Sequence, residues 1–479
     1  MKNLLLFCFL LLSYFSFAQK NRPNILLIVA DDLNQTALGA YGNRLVSTPN
    51  IDRLASEGML FQNTYPQYPV CGPSRASFLF GYYPSATETY GYTSGRENVG
   101  ADRKSLPEFF KENGYYTARI SKIFHMGVPI DIETGSDGQD DAASWIERFN
   151  SPGPEWQSEG LAELVQNNPD GKIERKGGNV MTIVQAEGGD LSQSDGKTAQ
   201  KAIELIQQQN RDKPFFLAVG LVRPHVPFVA PKEYFDSYPW QSIVPPPVIE
   251  GDWEDIPNKG INYVTTQNAE MNYIHKQKAI AGYYASVSFM DAQVGKILDA
   301  LKQAGLSENT IIIFTSDHGF HLGEHEFWMK VSLKEESVRV PFIIKAPGYS
   351  PGKSESFVEL VDLYPTLLDL TNSQIPKRLQ GISLKPLLKN PQQEVRPFAF
   401  SVTQGGSTYL IRTKRWAYIQ YGKNAEEGME LFDMEQDPGQ YQNLAYDDYF
   451  QSQVEEMKAL LNQKIKEVQT NDLGKTYTP

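Results

Sequence analysis

Cysteine is nearly absent from this sequence, with only Cys8 and Cys71 among 479 residues. So few cysteines exclude a fold that depends on a disulfide framework. If Cys8 is removed with a targeting segment, Cys71 is the one thiol of the mature chain and no intramolecular disulfide can form. A lone cysteine is commonly buried and inert, and the alternative is a reactive or modified residue.

Long hydrophobic runs are missing as well, apart from one near the N-terminus. The run Leu4 to Leu12 is preceded by Lys2 and followed by a small-x-small cleavage site that ends at Ala18. This order is typical of a secretory signal peptide over residues 1–18, and the run is too short to span a bilayer comfortably. We therefore expect an exported protein, periplasmic or secreted, with no membrane contact after cleavage.

The chain also lacks an excess of positive charge. The chain has 45 basic and 57 acidic residues and a net charge of −12, which argues against nucleic acid as a partner. An anionic substrate stays compatible with this charge if the pocket itself is basic. The sequence also contains no internal repeat and no glycine loop of the kind that binds nucleotides.

Strand and helix patterns alternate through most of the chain. "NILLIVADD" and "TIIIFTSDHG" are apolar runs that end in acids, as buried parallel strands do. "STPNIDRLASEG" predicts a helix with Thr48 as its N-cap and Gly58 as its stop. Such alternation predicts a doubly wound α/β sheet with a site at the carboxyl ends of the strands.

Two segments depart from this alternation. Residues 127–195 are rich in Gly, Asp, Ser and Asn with weak periodicity, so we expect a long insertion or a set of loops there. After about residue 390, short strand patterns such as "TYLIRT" precede a final amphipathic helix. We therefore predict a catalytic α/β domain over residues 19–390 and a smaller α+β C-terminal subdomain over residues 391–479.

Acidic residues at two strand ends could bind a metal. Asp31 and Asp32 follow the first strand pattern, and Asp317 with His318 follows a later one. Each pair alone could be a helix cap or a turn. Several hard oxygen ligands that meet at one sheet edge suit Ca²⁺ or Mg²⁺.

The remaining histidines are ambiguous by themselves. His125 and His225 each follow a strand pattern, where sites accumulate, and His275 stands in a helical stretch that favours a structural role. His321 and His325 have a spacing seen in zinc sites, but they lie in a glycine-containing loop and not on a helix, which disfavours zinc.

Basic residues accompany these patterns. Arg75, Lys122 and Lys330 each lie near one of the candidate segments. Each could be an ordinary solvated side chain. Together with the acids they would form a metal and cation pocket, which suits an oxyanion such as sulfate or phosphate.

The segment "CGPSRASFLFG" resembles the Cys-x-Pro-x-Arg signature of the type I sulfatases. "PNILLIVADDL", "SKIFHMG", "RPHVPF", "SDHGFHLGEHEFWMK" and "ELVDLYPTLLDL" resemble further blocks of that family in the same order. The similarity covers roughly residues 23–445 and is greatest to the iduronate-2-sulfatase branch. It implies an alkaline-phosphatase-like fold and conversion of the cysteine to formylglycine by a separate maturation enzyme.

The resemblance also implies a metal centre and its ligands. Asp31, Asp32, Asp317 and His318 would hold Ca²⁺ together with the formylglycine at Cys71. His318 matches the iduronate-2-sulfatase branch, since many sulfatases have asparagine at that position.

The resemblance assigns roles to the other candidates too. Arg75 would brace the formylglycine and the metal, and Lys122 and Lys330 would hold the sulfate oxygens. His125 would assist the hydroxyls of the hydrated aldehyde, and His225 would lie at the leaving oxygen.

A sulfated carbohydrate is the substrate that this resemblance favours. Glycosaminoglycans, ulvan and carrageenan all stay open as its source. One alternative is a phosphodiesterase or phosphonate monoester hydrolase, which shares the fold. A second alternative is a carbohydrate-binding homologue that has lost catalysis.

Overall fold

The computed structural model describes residues 22–165, 180–208, 213–261 and 271–474. The predicted signal peptide, residues 1–18, lies outside the described residues. No helix within the described ranges is long and apolar enough to cross a bilayer.

The strands in these ranges are, in chain order, β1 (Asn24–Asp31), β2 (Met59–Tyr65), β3 (Tyr116–Ser121), β4 (Glu147–Phe149), β5 (Gly160–Leu164), β6 (Thr182–Ala186), β7 (Phe215–Pro224), β8 (Phe228–Pro231), β9 (Thr310–Ser316), β10 (His321–Leu322), β11 (Trp328–Met329), β12 (Phe342–Lys345), β13 (Gly352–Glu359), β14 (Phe398–Thr403), β15 (Thr408–Thr413), β16 (Trp416–Tyr421) and β17 (Gly428–Asp433).

The α-helices are α1 (Pro49–Glu57), α2 (Cys71–Phe80), α3 (Pro84–Thr87), α4 (Arg96–Val99), α5 (Leu106–Glu112), α6 (Ile130–Thr134), α7 (Ser194–Gln208), α8 (Lys232–Phe235), α9 (Tyr273–Gln303), α10 (Glu335–Val338), α11 (Leu363–Leu370), α12 (Lys385–Lys389) and α13 (Gln451–Gln469).

The main sheet has eight strands in the order β13-β2-β12-β9-β1-β7-β3-β4. Strand β1 lies at its centre and runs parallel to both β7 and β9, whereas β12 is antiparallel to both of its neighbours. All eight residues of β1 are buried. Helices cover both faces of the sheet, so the predicted doubly wound α/β fold is confirmed.

The side chains of β1 alternate between two hydrophobic clusters, because successive residues of a strand point to opposite faces. Leu26 and Ile28 belong to the cluster that contains the inner face of α9. Leu27 and Val29 belong to the cluster that contains α2, α11 and the inner face of α13. The core is therefore split by the sheet, and the ends of β1 emerge between two covered layers.

A second, antiparallel sheet of order β14-β15-β16-β17 forms the C-terminal part, and α13 packs against β15. The smaller α+β subdomain predicted from the sequence is thus present. The strands β14 (Phe398–Thr403), β15 and β16 fall on the sequence patterns "FAFSVT", "TYLIRT" and "WAYIQYG", and β17 is an addition to them. The proposed division at residue 390 stays a prediction.

The segment predicted as loops contains more regular structure than expected. Strand β4 extends the edge of the main sheet beside β3, and β5 and β6 form a small sheet with β8. Residues of β4 and β5 are exposed or half-buried, so they lack the apolar alternation that identifies a strand in a sequence. Residues 166–179 of this segment lie outside the described residues.

Candidate active site

Three acidic residues meet where β1 and β9 end. Asp31 is the last residue of β1, Asp32 follows it, and Asp317 follows β9. The parallel register pairs Ala30 with Ser316, so the carboxyl ends of both strands reach the same edge of the sheet. The three acids have no accessible surface. The backbone N–H of Asp32 donates to Asp317 Oδ1 at 3.3 Å.

The helix α2 brings Cys71 to these acids. Cys71 is its first residue, and every residue of the helix is buried. The Sγ atom of Cys71 lies 3.2 Å from His318 Nε2 and 4.0 Å from Asp32 Oδ1. One ligand atom from each of Asp31, Asp32, Cys71 and His318 can be chosen so that all lie within 4.8 Å of one another.

Arg75 joins the acids from one turn further along α2, since residues four apart share a face of a helix. Its Nε donates to Asp317 Oδ2 at 2.8 Å, and its Nη2 lies 3.3 Å from Asp31 Oδ1. Its Nη1 donates to the carbonyl oxygens of Lys122 and Ile123. The guanidinium is completely buried and connects β1, β9 and the end of β3.

Two lysines reach the same carboxylates. Lys122, directly after β3, donates to Asp31 Oδ2 at 2.5 Å. Lys330 donates to Asp32 Oδ1 at 2.7 Å, and its Nζ lies 3.3 Å from Cys71 Sγ. Both amines therefore pair with carboxylates of the buried cluster that contains Cys71.

The backbone around Lys330 is strained. The residues on either side of it, Met329 and Val331, have φ angles of 71° and 82°. A β-branched residue rarely adopts this left-handed conformation, and such strain is concentrated at functional sites. Between these two residues, Lys330 extends its side chain towards Cys71.

The ring orientations of His225 and His318 follow from their backbone partners. His318 Nδ1 lies 2.9 Å from the carbonyl oxygen of Gly319, so Nδ1 donates to that oxygen and Nε2 faces Cys71. His225 Nδ1 lies 2.6 Å from the carbonyl oxygen of Val226, and its Nε2 lies 3.1 Å from Lys330 Nζ. The Nε2 atom of His225 therefore accepts a hydrogen bond from Lys330.

Burial and the cations set the protonation states in the site. Burial alone would raise the pKa of Asp31, but Lys122 and the other nearby cations hold it well below its usual range. Burial lowers the pKa of His225, as does the charge of Lys330, and keeps this imidazole neutral. Burial also lowers the pKa of Lys330, but the charge of Asp32 outweighs it and holds that pKa well above its usual range.

The same environment disfavours a thiolate at Cys71. Burial, followed by the negative charge of Asp31, raises the pKa of the Cys71 thiol far above its usual range. A reactive cysteine needs the opposite, a lowered pKa in an electropositive and partly exposed place. The unmodified thiol is therefore a poor nucleophile at neutral pH.

The donor set fits a divalent cation. Asp32 Oδ2 is buried and has no hydrogen-bond partner among the described residues, although such an oxygen normally has one. Burial raises the pKa of Asp32, as expected of a carboxylate whose charge is not fully compensated. The carboxylate oxygens of this set suit Ca²⁺, because Ca²⁺ accepts many oxygen ligands in flexible geometry.

His125 lies at the border of the site. It is half-buried, and its ring stacks on Tyr92 with a centroid distance of 4.4 Å and an interplanar angle of 26°. Burial lowers the pKa of His125, and the charge of Lys122 lowers it further, so the imidazole is neutral. The structure thus places all the predicted site residues in one region, and their individual roles stay predictions.

The other predicted histidines lie elsewhere. His325 Nδ1 lies 3.0 Å from Asp252 Oδ2, and His321 Nδ1 lies 3.9 Å from Glu336 Oε2. His275 belongs to the first turn of α9. Within the described residues, the cluster that could hold a metal contains none of these three.

Two residues that support the site carry no recognisable sequence signal. Tyr283, in the middle of α9, donates to the carbonyl oxygen of Asp32 at 2.8 Å and thereby fixes a residue with a φ of 62°. Asp195 accepts hydrogen bonds from the N–H groups of Val222 and Arg223 at 2.8 and 2.9 Å. It thereby holds the end of β7, which leads to His225.

Comparison with known families agrees with this geometry. The family model described as "Sulfatase" matches residues 23–373. The chain belongs to the sulfatase family. It is therefore a sulfuric ester hydrolase by family. A second model, "N-sulphoglucosamine sulphohydrolase, C-terminal", matches residues 323–471 of this sulfatase.

Individual relatives support the same assignment. Human iduronate 2-sulfatase is 36% identical over 397 residues, which cover 74% of this chain and 70% of the human protein. A solved structure of a protein with its substrate, D-glucosamine-2-N,6-O-disulfate, has a TM-score of 0.72 at 23% identity and covers 94% of this chain and 99% of its own. The phosphonate monoester hydrolase of Agrobacterium radiobacter has a TM-score of 0.74 at 23% identity, with 93% and 96% covered.

The two structural similarities establish the fold alone. They confirm the alkaline-phosphatase-like architecture, and they extend over both the main sheet and the C-terminal subdomain because at least 93% of this chain is covered. The family assignment rests on the sequence matches, as does the similarity to iduronate 2-sulfatases.

Proposed function

We propose that this sulfatase hydrolyses sulfate esters of a sulfated carbohydrate, with formylglycine at position 71 as the nucleophile and Ca²⁺ as the metal. One observation carries the proposal. Cys71 Sγ lies 3.2 Å from His318 Nε2 and 3.3 Å from Lys330 Nζ inside a buried acidic cluster. A nucleophile there would have a metal-binding set on one side and a cation for the sulfate on the other.

Conversion of Cys71 to formylglycine is supported by the environment of the thiol. Because burial raises its pKa, the cysteine itself is a poor nucleophile. An aldehyde made by a maturation enzyme would supply, when hydrated, a hydroxyl group as the nucleophile and a second hydroxyl for its own regeneration.

Asp31, Asp32, Asp317 and His318 would hold Ca²⁺ together with residue 71. When bound, Ca²⁺ would supply Lewis acidity and offset negative charge on the sulfate. Asp317 has a further task, since its carboxylate also pairs with Arg75 at 2.8 Å. That pair would hold the Asp317 carboxylate in a fixed orientation.

The lysines and histidines of the site would bind the sulfate and transfer protons. Lys122 and Lys330 would bind the non-bridging sulfate oxygens, where charge builds up in the transition state. Lys330 carries the proton that His225 lacks, so this hydrogen-bonded pair would deliver a proton to the leaving oxygen. His125 is neutral and would take the proton from the second hydroxyl at position 71, which releases sulfate.

The substrate class is proposed from the relatives. Human iduronate 2-sulfatase is named for a uronic acid, and the substrate in the solved complex is a sulfated glucosamine. A sulfated oligosaccharide from a glycosaminoglycan, ulvan or carrageenan fits both. We further propose that the protein is exported, with residues 1–18 as its signal peptide, and acts in the periplasm or outside the cell.

Sulfate release from a panel of sulfated oligosaccharides tests the proposal. The protein would be matured with a formylglycine-generating enzyme, with the aldehyde at position 71 verified by mass spectrometry. Cys71→Ala is the matched inactive variant. Release from one polysaccharide class that is lost in Cys71→Ala, and lost in chelator until Ca²⁺ is restored, supports the proposal.

The same panel, extended with phosphodiesters and phosphonate monoesters, addresses the two alternatives. Hydrolysis of phosphodiesters to a phosphomonoester and an alcohol, or of phosphonate monoesters to a phosphonate and an alcohol, at rates above those for all sulfate esters, would replace the proposal with the phosphoesterase function. Oligosaccharide binding without turnover by the verified aldehyde form would indicate a homologue that has lost catalysis.

A further inference from the structure

Tyr92 lies beside the candidate active site in the loop between α3 and α4. Its side chain is large, and 55% of the residue is exposed to solvent. Its ring nevertheless stacks on His125 at 4.4 Å between centroids. An exposed aromatic residue that packs on a proposed proton acceptor is a candidate for a role in the reaction.

The Tyr92 backbone is fixed against the nucleophile segment. A Cβ atom at Gly72, the residue after Cys71, would lie 2.6 Å from the carbonyl oxygen of Gly91 and 3.0 Å from Tyr92 Cα. These distances leave no room for a side chain at position 72. The loop therefore packs on the first turn of α2, which ties the position of Tyr92 to that of Cys71.

The His125 ring has few other constraints. Its Nδ1 is buried and has no hydrogen-bond partner within the described part of the chain, whereas His225 and His318 each use Nδ1 to bind a carbonyl oxygen. The backbone of His125 is held by Gln139, whose N–H donates to its carbonyl oxygen at 2.8 Å. Backbone contacts do not set the rotation of a side-chain ring, so the stack with Tyr92 supplies that constraint.

We infer that Tyr92 is a positioning residue whose ring holds the imidazole of His125 in the orientation needed for proton transfer at position 71. The inference rests on the proposed function, because His125 has its role there. The faces of the two rings form the contact that the inference uses. A small displacement of a catalytic group can cost a large factor in rate.

The proposal predicts a particular kinetic pattern. His125 is proposed to act after the alcohol has left, so its misplacement slows turnover more than the steps that kcat/KM reports. For Tyr92→Ala we expect kcat to fall by about tenfold or more, a part of the full acid–base contribution of roughly 10²–10⁴-fold, with a smaller change in kcat/KM. For Tyr92→Phe we expect both constants to stay within about twofold, since stacking survives.

The measurement would use calcium-loaded, matured enzyme with 4-methylumbelliferyl sulfate and with the oligosaccharide that the panel identifies. Tyr449→Ala is the matched control, because Tyr449 is 83% exposed and its ring lies 5.0 Å from that of Phe450. Its kinetic constants should equal those of the unsubstituted enzyme. Thermal unfolding of all three variants would show whether a kinetic change reflects a loss of fold.

A spectroscopic readout is independent of turnover. The charged groups that act on His125 are Lys122, Asp31, Arg75 and Lys330. In Tyr92→Ala the imidazole gains access to water, so the NMR titration of ¹³C-labelled histidine should show its pKa rise towards the ordinary value. The resonance is assigned with His125→Gln. Tyr92→Phe should titrate as the unsubstituted protein does.

The outcomes are distinct. Loss of kcat in Tyr92→Ala with a raised His125 pKa and full rescue by Tyr92→Phe supports the inference. An unchanged kcat in Tyr92→Ala, an equal loss in Tyr92→Phe, or an effect on KM alone overturns it. If the unsubstituted enzyme releases no sulfate from any substrate, the proposed function has failed, whereas an active enzyme indifferent to Tyr92→Ala refutes the positioning role alone.

Discussion

At the scale of single residues, the site is organised by compensation of buried charge. Arg75 and its partners Asp31 and Asp317 are all without accessible surface. Removal of a charge from water is costly, and pairing with good geometry offsets much of that cost. Arg75 uses Nε, Nη1 and Nη2 for four partners, which a lysine with a single point charge cannot reproduce.

Replacement of Arg75 should therefore destabilise the fold as well as the reaction. In Arg75→Met, two buried carboxylates lose their cation, so we expect the free energy of unfolding to fall by about 3–5 kcal/mol. Arg75→Lys should lose less, because it keeps a charge. The measurement is urea unfolding of chelator-treated protein, so that bound Ca²⁺ does not compensate for the acids.

A matched surface pair provides the control for this experiment. Arg53 pairs with Asp299 at 2.8 Å, and their side chains are 40% and 50% exposed. Arg53→Met should cost at most about 1 kcal/mol, as exposed ion pairs do. An Arg75→Met variant as stable as Arg53→Met would contradict the assigned role of the buried guanidinium.

At the scale of helices and strands, α1 shows how an element can begin where the sequence predicts and be capped by another element. Thr48 is at the N-cap position as predicted, but its side chain caps no N–H group of the helix. Asp291 of α9 instead accepts hydrogen bonds from the N–H groups of Asn50 and Ile51. The first N–H groups of a helix have no partner within the helix. In α1 they bond to Asp291 and thereby attach α1 to α9.

This cap predicts a pH dependence of stability. Burial raises the pKa of Asp291 to about 6, above its unfolded value of about 3.9. Asp291 therefore binds its proton more tightly in the folded state than in the unfolded state. This protonation contributes fully to the free energy of unfolding below about pH 4, and the contribution is lost as the pH rises through about 6. Between pH 4.5 and pH 7, the free energy of unfolding of the unsubstituted protein should fall by about 2 kcal/mol relative to that of Asp291→Asn.

Urea unfolding of both proteins across this pH range measures the difference between them. Asn keeps an acceptor for the helix N–H groups but has no proton to lose, so effects of all other titrating groups cancel in the comparison. A stability difference that stays constant from pH 4.5 to pH 7 would show that Asp291 ionises at its ordinary pKa in the folded protein.

At the scale of the whole molecule, the C-terminal subdomain is attached to the loop that carries Lys330. Lys334 Nζ lies 3.1 Å from Glu430 Oε2 and 3.3 Å from the carbonyl oxygen of Gln440. The amine also lies 4.2 Å from the centroid of the Phe432 ring. Both partners of the ion pair are almost completely buried, so the contact joins the main domain to β17 from inside.

Disruption of this contact should affect both parts of the molecule. Lys334→Met leaves Glu430 buried without its cation, and we expect a loss of about 3–5 kcal/mol in the free energy of unfolding. The double variant Lys334→Met/Glu430→Gln removes both charges and should recover at least half of that loss. Unfolding of the single and double variants, arranged as a double-mutant cycle, measures the coupling. Additive losses would show that the pair does not join the two parts.

Much of the architecture could be predicted from local patterns. The strands β1 and β9 are apolar runs ended by acids, and this periodicity depends only on neighbouring residues. The segment over residues 127–195 could not be predicted in the same way. Strand β4 is short and exposed, and it exists because it pairs with β3, a contact that no local pattern records.

The sequence by itself determined the kinds of chemistry available to this protein. The acids after two apolar strands and the motif around Cys71 and Arg75 are local features, and together with the other family motifs they sufficed to identify the family. The site residues that these features indicate stay predictions. The tertiary structure decided the relations among them, because contacts between distant segments depend on packing. It placed Lys330 against His225, capped α1 with Asp291, fixed Asp32 through Tyr283 and stacked Tyr92 on His125.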